Sequence, residues 1–435
     1  MKSDERKIIV LSQGCAANFG EGEKIARILS HRGNVSFAFP ENQTPEAFYL
    51  NVCTVKGNAG ALKLLKKAHE TYPDTPIYIT GCAPKDFMKD ASRIWDQIHF
   101  TSLHEIEKIY EAVKPTANNL RESPFVGIVN IEEGCLDACA FCSTHLVKGR
   151  LRSFSEDFVV EQVKRLVSDG CIEIQLTGQD CACYGFDIGT NLAILVERIL
   201  VQVPGDYKLR LGMGNPRHLQ GYLERLLDCF TDNRVYKFIH LPVQSGSDRV
   251  LKAMNRKHSV EDYRKLAYAF SERFERFTLS TDLIVGHPGE TQADFEETLK
   301  LLKETRPSVA NITRFVARPG TVAARFGSTA TVQSPAKTTT NKMDISYETV
   351  PDAIKHERSA KLFDAFQQIA LENNREWIGK HCTVVTEKKG YHPGTTIARN
   401  ESYRPVALQG DFPAGQRMNV TITGAEPFAL LAELD

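Results

Sequence analysis

The chain lacks any long hydrophobic run: no stretch reaches the roughly 18 consecutive apolar residues that a membrane-spanning helix needs. Its first residues, MKSDERKIIVLSQGC, are charged and then strand-like. They contain neither the apolar segment nor the small-residue cleavage site of a secretory signal. We therefore expect a cytoplasmic protein that has no membrane partner.

The chain also lacks an excess of charge of either sign, because 54 basic residues balance 54 acidic residues. Domains dedicated to nucleic acid are often strongly basic, so any contact with nucleic acid has to come from local patches. Apolar residues make up 42% of the chain and charged residues 25%, which is typical of a globular protein. The length of 435 residues exceeds that of one typical domain and predicts two or three.

Cysteine, by contrast, is plentiful, with 11 residues. An odd count without a secretory signal favours metal binding over disulfides. The segment GCLDACAFCSTHLVKGR contains Cys135, Cys139 and Cys142 in the spacing C-x3-C-x2-C, and we call these the core triad. Thiolates suit iron–sulfur clusters, and three of them would leave one iron of a 4Fe-4S cube open. His145 follows closely, so a zinc site of three cysteines and one histidine is an alternative.

Residues 6–115 alternate strand-like and helix-like segments, which predicts a parallel α/β domain. One predicted helix is EGEKIARILSHRG, and three strands end in the words QGC, NVC and TGC. Because ligands bind at the carboxyl ends of parallel strands, we expect Cys15, Cys53 and Cys82 to form one site, the N-terminal triad. The alternative is three half-buried thiols that only pack.

Residues 121–350 contain six further strand–helix repeats, which predict a partial (β/α)6 barrel with its active face at the carboxyl ends of the strands. Cys135 directly follows the first of these strands. The Ser/Thr-rich segment 327–345 indicates a flexible loop, and a charged helix comes after it. Residues 376–435 read as short strands separated by Gly, Pro and Asn, which predicts a small β-barrel of OB-like size.

The core triad, with Phe141 before its last cysteine and a barrel strand ahead of it, resembles the radical S-adenosylmethionine superfamily. The whole chain is similar to the methylthiotransferases, whose C-terminal barrel is the TRAM domain. Words that carry this likeness are GCAAN, NVCTV, TGCAP, LTGQD, RLGMGNP, HLPVQSGSDRVLKAMNR, TDLIVGHPGET and RPGTVAARF. The chain most resembles the archaeal and eukaryotic threonylcarbamoyladenosine tRNA branch, through GCAANFGEGEKIA, LTGQDCACYGFD and ARNESYRPVAL.

This resemblance implies two 4Fe-4S clusters, one on each triad, with S-adenosylmethionine bound at the core cluster. The implied activity is insertion of a methylthio group at C2 of threonylcarbamoyladenosine at adenosine-37 of tRNA, beside the anticodon. Isopentenyladenosine in tRNA and an aspartate of a ribosomal protein are the alternative substrates within the family. The resemblance also implies an electron donor such as ferredoxin or flavodoxin, and it leaves the sulfur donor open.

Polar residues near strand ends are the expected contacts of S-adenosylmethionine: Gln179, Asp180, Arg210, Met213, Asn215, Gln244 and Ser245. Basic residues after the core triad and on the small barrel are the expected contacts of tRNA: Lys148, Arg150, Arg152, Lys388, Arg399 and Arg404. The alternative in each case is a framework hydrogen bond or a solvated surface charge. Cys181 and Cys183 are expected to be half-buried thiols, and His218 and His240 framework residues. His287 stands where the family usually has a bulky apolar residue.

Overall fold

The computed structural model describes residues 7–40, 43–53, 58–110, 120–326 and 347–435. The segment 327–345, for which the sequence predicts a loop, lies outside the described residues. None of the helices in these ranges is long and apolar enough to cross a membrane. The α/β fold class expected from the sequence is confirmed, with a closed five-stranded barrel near the C-terminus.

The first unit is a parallel sheet in the order β2-β1-β3-β4-β5 within the described residues. Its elements are β1 (Lys7–Ser12), α1 (Ala16–Leu29), β2 (Asn34–Ser36), β3 (Ala47–Cys53), α2 (Ala59–Thr71), β4 (Ile77–Cys82), α3 (Lys85–Ile94), β5 (Ile98–Phe100) and α4 (Leu103–Tyr110). Strand β3, AFYLNVC, is buried along almost its whole length. That burial is typical of a central parallel strand covered on both faces.

Helix α1 begins at Ala16, directly after Cys15, and thus earlier than the predicted segment EGEKIARILSHRG. Gly20 and Gly22 near its start allow contacts too close for any other residue. A Cβ on Gly20 would lie 2.6 Å from Oδ1 of Asn130, and one on Gly22 would lie 1.9 Å from Oγ of Ser12. The helix therefore tolerates glycine because it packs between the N-terminal sheet and the central unit.

The central unit contains two parallel three-stranded sheets, β10-β9-β6 and β11-β12-β13, among the described residues. Its strands are β6 (Val126–Asn130), β7 (Glu132–Glu133), β8 (Arg152–Ser153), β9 (Glu173–Thr177), β10 (Lys208–Leu211), β11 (Phe238–His240), β12 (Thr278–Val285) and β13 (Val309–Arg314). The backbone N–H of Tyr236 donates to the carbonyl of Leu209 over 3.0 Å and so joins β10 to the segment before β11. The two sheets thus form the partial barrel that the sequence predicts.

The central unit also contains helices, most of which cover the outside of the partial barrel. They are α5 (Thr144–Lys148), α6 (Glu156–Ser168), α7 (Leu192–Gln202), α8 (Pro216–Leu219), α9 (Leu223–Cys229), α10 (Asp248–Ala253), α11 (Val260–Arg273), α12 (Gln292–Thr305) and α13 (Asp352–Arg375). Ile174 and Leu176 of β9 belong to the core that packs under these helices. Alternation along the strand leaves Glu173 and Gln175 on the inner face.

The third unit is a closed barrel in the order β14-β15-β16-β18-β17. Its strands are β14 (His381–Lys389), β15 (Thr395–Asn400), β16 (Pro405–Gln409), β17 (Arg417–Ala425) and β18 (Leu430–Leu434). The backbone N–H of Lys237 donates to the carbonyl of Glu401 over 2.9 Å, and Oγ of Ser402 donates to the carbonyl of Arg276 over 2.8 Å. Lys237 and Arg276 precede β11 and β12, so this barrel docks at the amino ends of the core strands.

Tyr403 of the small barrel closes this amino-terminal end of the core. Its ring centroid lies 4.9 Å from that of Tyr236 and 5.1 Å from that of Phe238. Its hydroxyl donates to Oε1 of Glu173 over 3.3 Å. The residue adopts a left-handed φ of 59°, which is uncommon for a bulky side chain. The surrounding contacts therefore hold a turn that the tyrosine alone would not favour.

Replacing Tyr403 with alanine is expected to lower the stability of the whole chain by about 2–4 kcal/mol, because the ring fills the junction between two units. Thermal unfolding of the full-length protein measures this effect. Tyr391 provides the matched control, since it lies in the same small barrel and is 88% exposed. Its alanine variant is expected to change stability by at most about 0.5 kcal/mol. Equal effects of the two substitutions would contradict the assigned contact.

Candidate functional site

The N-terminal triad lies at one edge of the first sheet. Cys53 and Cys82 are register partners at the carboxyl ends of β3 and β4. Cys15 occupies the N-cap position of α1, where the helix dipole favours negative charge on a sulfur. Gly14 has a φ of 106°, and a Cβ there would lie 2.7 Å from Sγ of Cys53. Glycine thus lets the loop that carries Cys15 approach the strand that carries Cys53.

Two buried asparagines tie the segments of this triad together. Nδ2 of Asn18 donates to the carbonyls of Gln13 and Asn51 over 2.6 and 2.8 Å, and Nδ2 of Asn51 donates to the carbonyl of Asn18 over 2.5 Å. Oδ1 of each side chain is buried without a hydrogen-bond partner. A Cβ on Gly81 would lie 2.3 Å from Oδ1 of Asn51. The asparagines of the words GCAAN and NVC therefore shape the backbone beside Cys82.

The core triad lies on a loop at the carboxyl ends of the core strands. The backbone N–H of Cys142 donates to the carbonyl of Cys139 over 3.1 Å, and that of Cys135 donates to the carbonyl of Gly149 over 3.3 Å. Nη1 of Arg256 donates to Sγ of Cys139 over 3.6 Å. The backbone N–H of Thr144 donates to Sγ of Cys142 over 3.4 Å. The loop thus presents three sulfurs and gives two of them hydrogen-bond donors.

Thiols of both triads have shifted pKa values. Burial raises the pKa of Cys82 to about 12, and it also raises the pKa of Cys139 above its ordinary value. Burial acts in the same direction on Cys142, but hydrogen bonds from His145 and Thr144 outweigh it and lower the pKa of that thiol. Protonated thiols release their protons when they bind iron. His145 lies beside Cys142, so the fourth donor of the zinc alternative is also close at hand.

Asp137, inside the C-x3-C loop, fastens the core triad to the end of β10. Its Oδ2 accepts from Nδ2 of Asn215 over 2.6 Å and lies 3.3 Å from Nε2 of His218. Its Oδ1 accepts from Nη1 of Arg217. Oδ1 of Asn215 in turn accepts from the backbone N–H of Arg217 over 3.3 Å. Nδ2 of Asn215 therefore holds the loop of the core triad, and its Oδ1 caps helix α8.

Gln179 and Asp180 organise the neighbouring strand ends. Oε1 of Gln179 accepts from the backbone N–H of Gly134, next to Cys135, over 2.7 Å. Oδ1 of Asp180 accepts from the backbone N–H of Asn215 over 2.8 Å, and the backbone N–H of Asp180 donates to Oε1 of Glu132 over 2.7 Å. Burial raises the pKa of Glu132 to about 8, although the hydrogen bond from the backbone of Asp180 acts against it. These contacts bring Gln179, Asp180 and Asn215 together beside the core triad.

The other residues expected to contact S-adenosylmethionine are more dispersed. Arg210 points toward the small barrel, with its guanidinium 5.2 Å from the ring of Phe238 and 5.2 Å from that of Tyr403. Oγ of Ser245 lies 3.3 Å from Oγ1 of Thr298 on α12, in the helical shell. Gln244 is buried with a φ of 76°, and Met213 is half-buried. Arg210 and Ser245 thus belong to framework contacts.

The basic residues expected to contact tRNA divide into two groups. Arg150, Arg152 and Lys388 are exposed, and Arg152 pairs with Glu133 over 2.5 Å. Lys148, Arg399 and Arg404 make internal contacts, and their expected role in binding tRNA stays a prediction. Their partners are Glu21 for Lys148, Glu387 for Arg399, and Asn374 with Ser308 for the buried Arg404. Lys148 and Arg399 thus form ion pairs within the protein, and Arg404 forms hydrogen bonds with neutral groups.

Lys148 connects the surroundings of the two triads. Its Nζ lies 2.6 Å from Oε1 of Glu21 on α1, and the side chains are only 14% and 4% exposed. Lys148 ends the short helix α5, which follows Cys142 and packs against β4, the strand that ends at Cys82. A cavity of about 490 Å³ opens here, lined in part by Gly81 and Lys148. Helix α5 therefore stands between the regions of the two triads.

Several residues near the two triads were not recognised in the sequence, because no local motif marks them. They are Arg256, Asp137, Asn18 and Asn51, whose hydrogen-bond partners become evident only in the folded chain. Nε2 of His218 lies 3.3 Å from Oδ2 of Asp137, and Nε2 of His240 lies 3.0 Å from Oδ1 of Asp282. Cys181 and Cys183 are fully buried. His287 is buried with its ring 5.2 Å from that of Phe315, and burial lowers its pKa to about 4.

Comparison with known families divides the chain in the same way. Residues 7–100 match Uncharacterized protein family UPF0004, residues 129–302 match the Radical SAM superfamily, and residues 370–434 match the TRAM domain. A probable threonylcarbamoyladenosine tRNA methylthiotransferase of Pyrococcus horikoshii is 32% identical over 96% of this chain and 98% of its own length. The chain belongs to this family of radical S-adenosylmethionine methylthiotransferases.

Other relatives extend the comparison. A probable threonylcarbamoyladenosine tRNA methylthiotransferase of Archaeoglobus fulgidus is 42% identical over 67% of this chain, and the match spans 63% of that relative. The Homo sapiens threonylcarbamoyladenosine tRNA methylthiotransferase is 31% identical over 93% of this chain and 69% of its own length. The radical S-adenosylmethionine methyltransferase TsrM from Kitasatospora setae shares the fold, with a TM-score of 0.51, 11% identity, and coverage of 74% of this chain and 78% of that one.

Replacing Asp137 with asparagine is expected to loosen the core loop, because a neutral amide cannot accept from Asn215, Arg217 and His218 together. The change leaves buried donors unpaired and costs about 1–3 kcal/mol. Thermal unfolding and the iron content after anaerobic purification both report it, and both are expected to fall. The control is Asp228→Asn, whose carboxylate is 67% exposed and pairs with Arg273. Unchanged iron content and stability in the Asp137 variant would contradict the positioning role.

Proposed function

We propose that the protein inserts a methylthio group at C2 of threonylcarbamoyladenosine at adenosine-37 of tRNA, using two 4Fe-4S clusters and S-adenosylmethionine. The observation that carries this proposal is the pair of separate cysteine triads, each at the carboxyl ends of parallel strands, with helix α5 between their surroundings. One triad alone would serve a radical enzyme. A second set of three sulfurs supports an additional cluster whose open iron holds the sulfur to be transferred.

Different residues of the chain would hold the cluster, position it and shield it from water. The core triad holds the cluster at which S-adenosylmethionine binds, and this group supplies the radical chemistry. Gln179, Asp180 and Asn215 fix the strand ends and the loop that present the cluster. Phe141 belongs to the side chains packed against a small apolar cluster with Ala140 and Phe315, which limits access of water.

Arg150, Arg152 and Lys388 are proposed to contact phosphates of the tRNA, since they are exposed basic side chains. The substrate assignment rests on family membership and not on charge, because the chain has no net excess of basic residues. An electron donor such as ferredoxin or flavodoxin, and a cytoplasmic location, stay predictions. The domain limits 6–115, 121–350 and 376–435 also stay predictions.

Deleting the gene is expected to remove the methylthio group from threonylcarbamoyladenosine in total tRNA, because the proposal assigns the insertion of this group to the protein. Mass spectrometry of digested tRNA nucleosides measures this loss. Complementation with the wild-type chain is expected to restore the modified nucleoside, whereas Cys139→Ala is not. An unchanged nucleoside profile would contradict the substrate assignment. Loss of a methylthio group from a ribosomal-protein aspartate or from isopentenyladenosine would point to the alternatives within the family.

Substitutions in the two triads are expected to have separable effects. The anaerobically purified chain is expected to be brown and to hold about eight irons, and either Cys53→Ala or Cys139→Ala is expected to remove about four. Cys139→Ala should abolish formation of deoxyadenosine, whereas Cys53→Ala should leave it largely intact and stop sulfur insertion. Cys382→Ala, in the core of the small barrel, is the control and should keep all iron. Colourless, zinc-loaded protein would contradict the proposal.

A further inference from the structure

Arg256 lies against the core triad but is not one of its ligands. Its side chain is buried, and Nη1 donates to Sγ of Cys139 over 3.6 Å. Nη2 donates to the carbonyl of Pro242 over 2.6 Å. Nε is buried without a hydrogen-bond partner. One edge of the guanidinium is thus anchored to the framework while another faces a cluster sulfur.

The backbone around Arg256 fixes this orientation. The carbonyl of Met254 accepts from the backbone N–H of Ala140 over 2.8 Å. Asn255, with a left-handed φ of 55°, donates from Nδ2 to the carbonyl of Ala138 over 2.7 Å. Three successive residues therefore hold the cluster loop on both sides of Cys139. These contacts keep the backbone of Arg256 close to the loop that carries Cys139.

The charge of Arg256 is not neutralised by a direct ion pair. Within the described ranges, no carboxylate lies at ion-pair distance from its guanidinium, although Asp137 and Asp180 are near enough to feel its charge. The neighbouring His258 is buried, and burial together with Arg256 lowers its pKa to about 3. His258 is therefore neutral, and Arg256 carries its positive charge beside Cys139.

We propose that Arg256 raises the reduction potential of the cluster held by the core triad. The inference rests on the proposed function, because it requires an iron–sulfur cluster at these cysteines. The step concerned is the uptake of one electron from a donor of the ferredoxin or flavodoxin class, and no bond forms or breaks in it. Uptake adds one negative charge beside the guanidinium. A charged donor on a ligand sulfur stabilises that more negative state.

The hydrogen bond from Arg256 to Cys139 also helps to position the side chain of Cys139. Lysine at position 256 retains the positive charge, whereas methionine fills similar space without charge or donor. Arg249 offers the matched control on the same segment. It pairs with Asp294 and donates to the carbonyl of Gly289, away from the triad. Arg249→Met therefore makes the same chemical change without altering the surroundings of Cys139.

The test is a redox titration of the full-length, anaerobically loaded protein, followed by electron paramagnetic resonance. A background in which Cys15, Cys53 and Cys82 are alanine assigns the signal of the core cluster. At a fixed potential, Arg256→Met is expected to lower the ratio of reduced to oxidised cluster about tenfold, or about 59 mV for one electron. Arg256→Lys should retain most of the wild-type ratio, and Arg249→Met all of it.

A second readout separates tuning from structural damage. Deoxyadenosine formation by Arg256→Met is expected to fall with flavodoxin as donor and to recover with titanium(III) citrate, a stronger reductant. A damaged site would not recover. If Arg256→Met does not load iron, Arg256→Gln is titrated in its place, and a wild-type ratio there overturns the proposal. An unchanged ratio in Arg256→Met overturns it as well, whereas absence of iron from the wild-type chain overturns the proposed function.

Discussion

The close packing of helix α1 against strand β6 is the contact on which the arrangement of the two triads depends. The helix begins at Cys15, and β6 leads into the segment that carries Cys135. Gly20 allows the approach, and Nδ2 of Asn130 donates to the carbonyl of Ala17 over 3.3 Å. A larger residue at Gly20 would separate the two units. The relative position of the triads is thus set by direct contact between the two units.

A buried ion pair strengthens the same junction. Glu21 of α1 and Lys148 of α5 lie almost entirely out of solvent, where loss of one partner leaves an uncompensated charge and costs about 3–5 kcal/mol. Glu21 directly follows Gly20 in the N-terminal unit, and Lys148 follows the core triad in the central unit. Glycine packing and charge pairing therefore act on neighbouring residues and hold the N-terminal sheet against the face of the core that carries the cysteines.

The small barrel packs at the amino ends of the core strands, opposite to the end that carries the core triad. Its contacts are with residues that precede the core strands, and Tyr403 fills the opening between them. Lys388 is therefore remote from the cysteine face in the fold, whereas Arg150 adjoins it. An RNA that meets both has to run along the outside of the core. The small barrel also contributes enclosed side chains to its junction with the central unit, namely those of Tyr403 and Arg404.

The sequence by itself predicts the six sulfur donors, and it determined the α/β fold class with its parallel strands and small C-terminal barrel. Cysteine spacing and hydrophobic periodicity are local properties, and parallel strands bring their carboxyl ends to one edge. Only the tertiary structure decided which charged residues are free. Lys148 pairs with Glu21, Arg404 with Asn374, and Arg256 reaches Cys139, all across long separations in the chain. A basic residue looks the same in the sequence whether it faces solvent or a buried partner, and folding alone brings that partner to it.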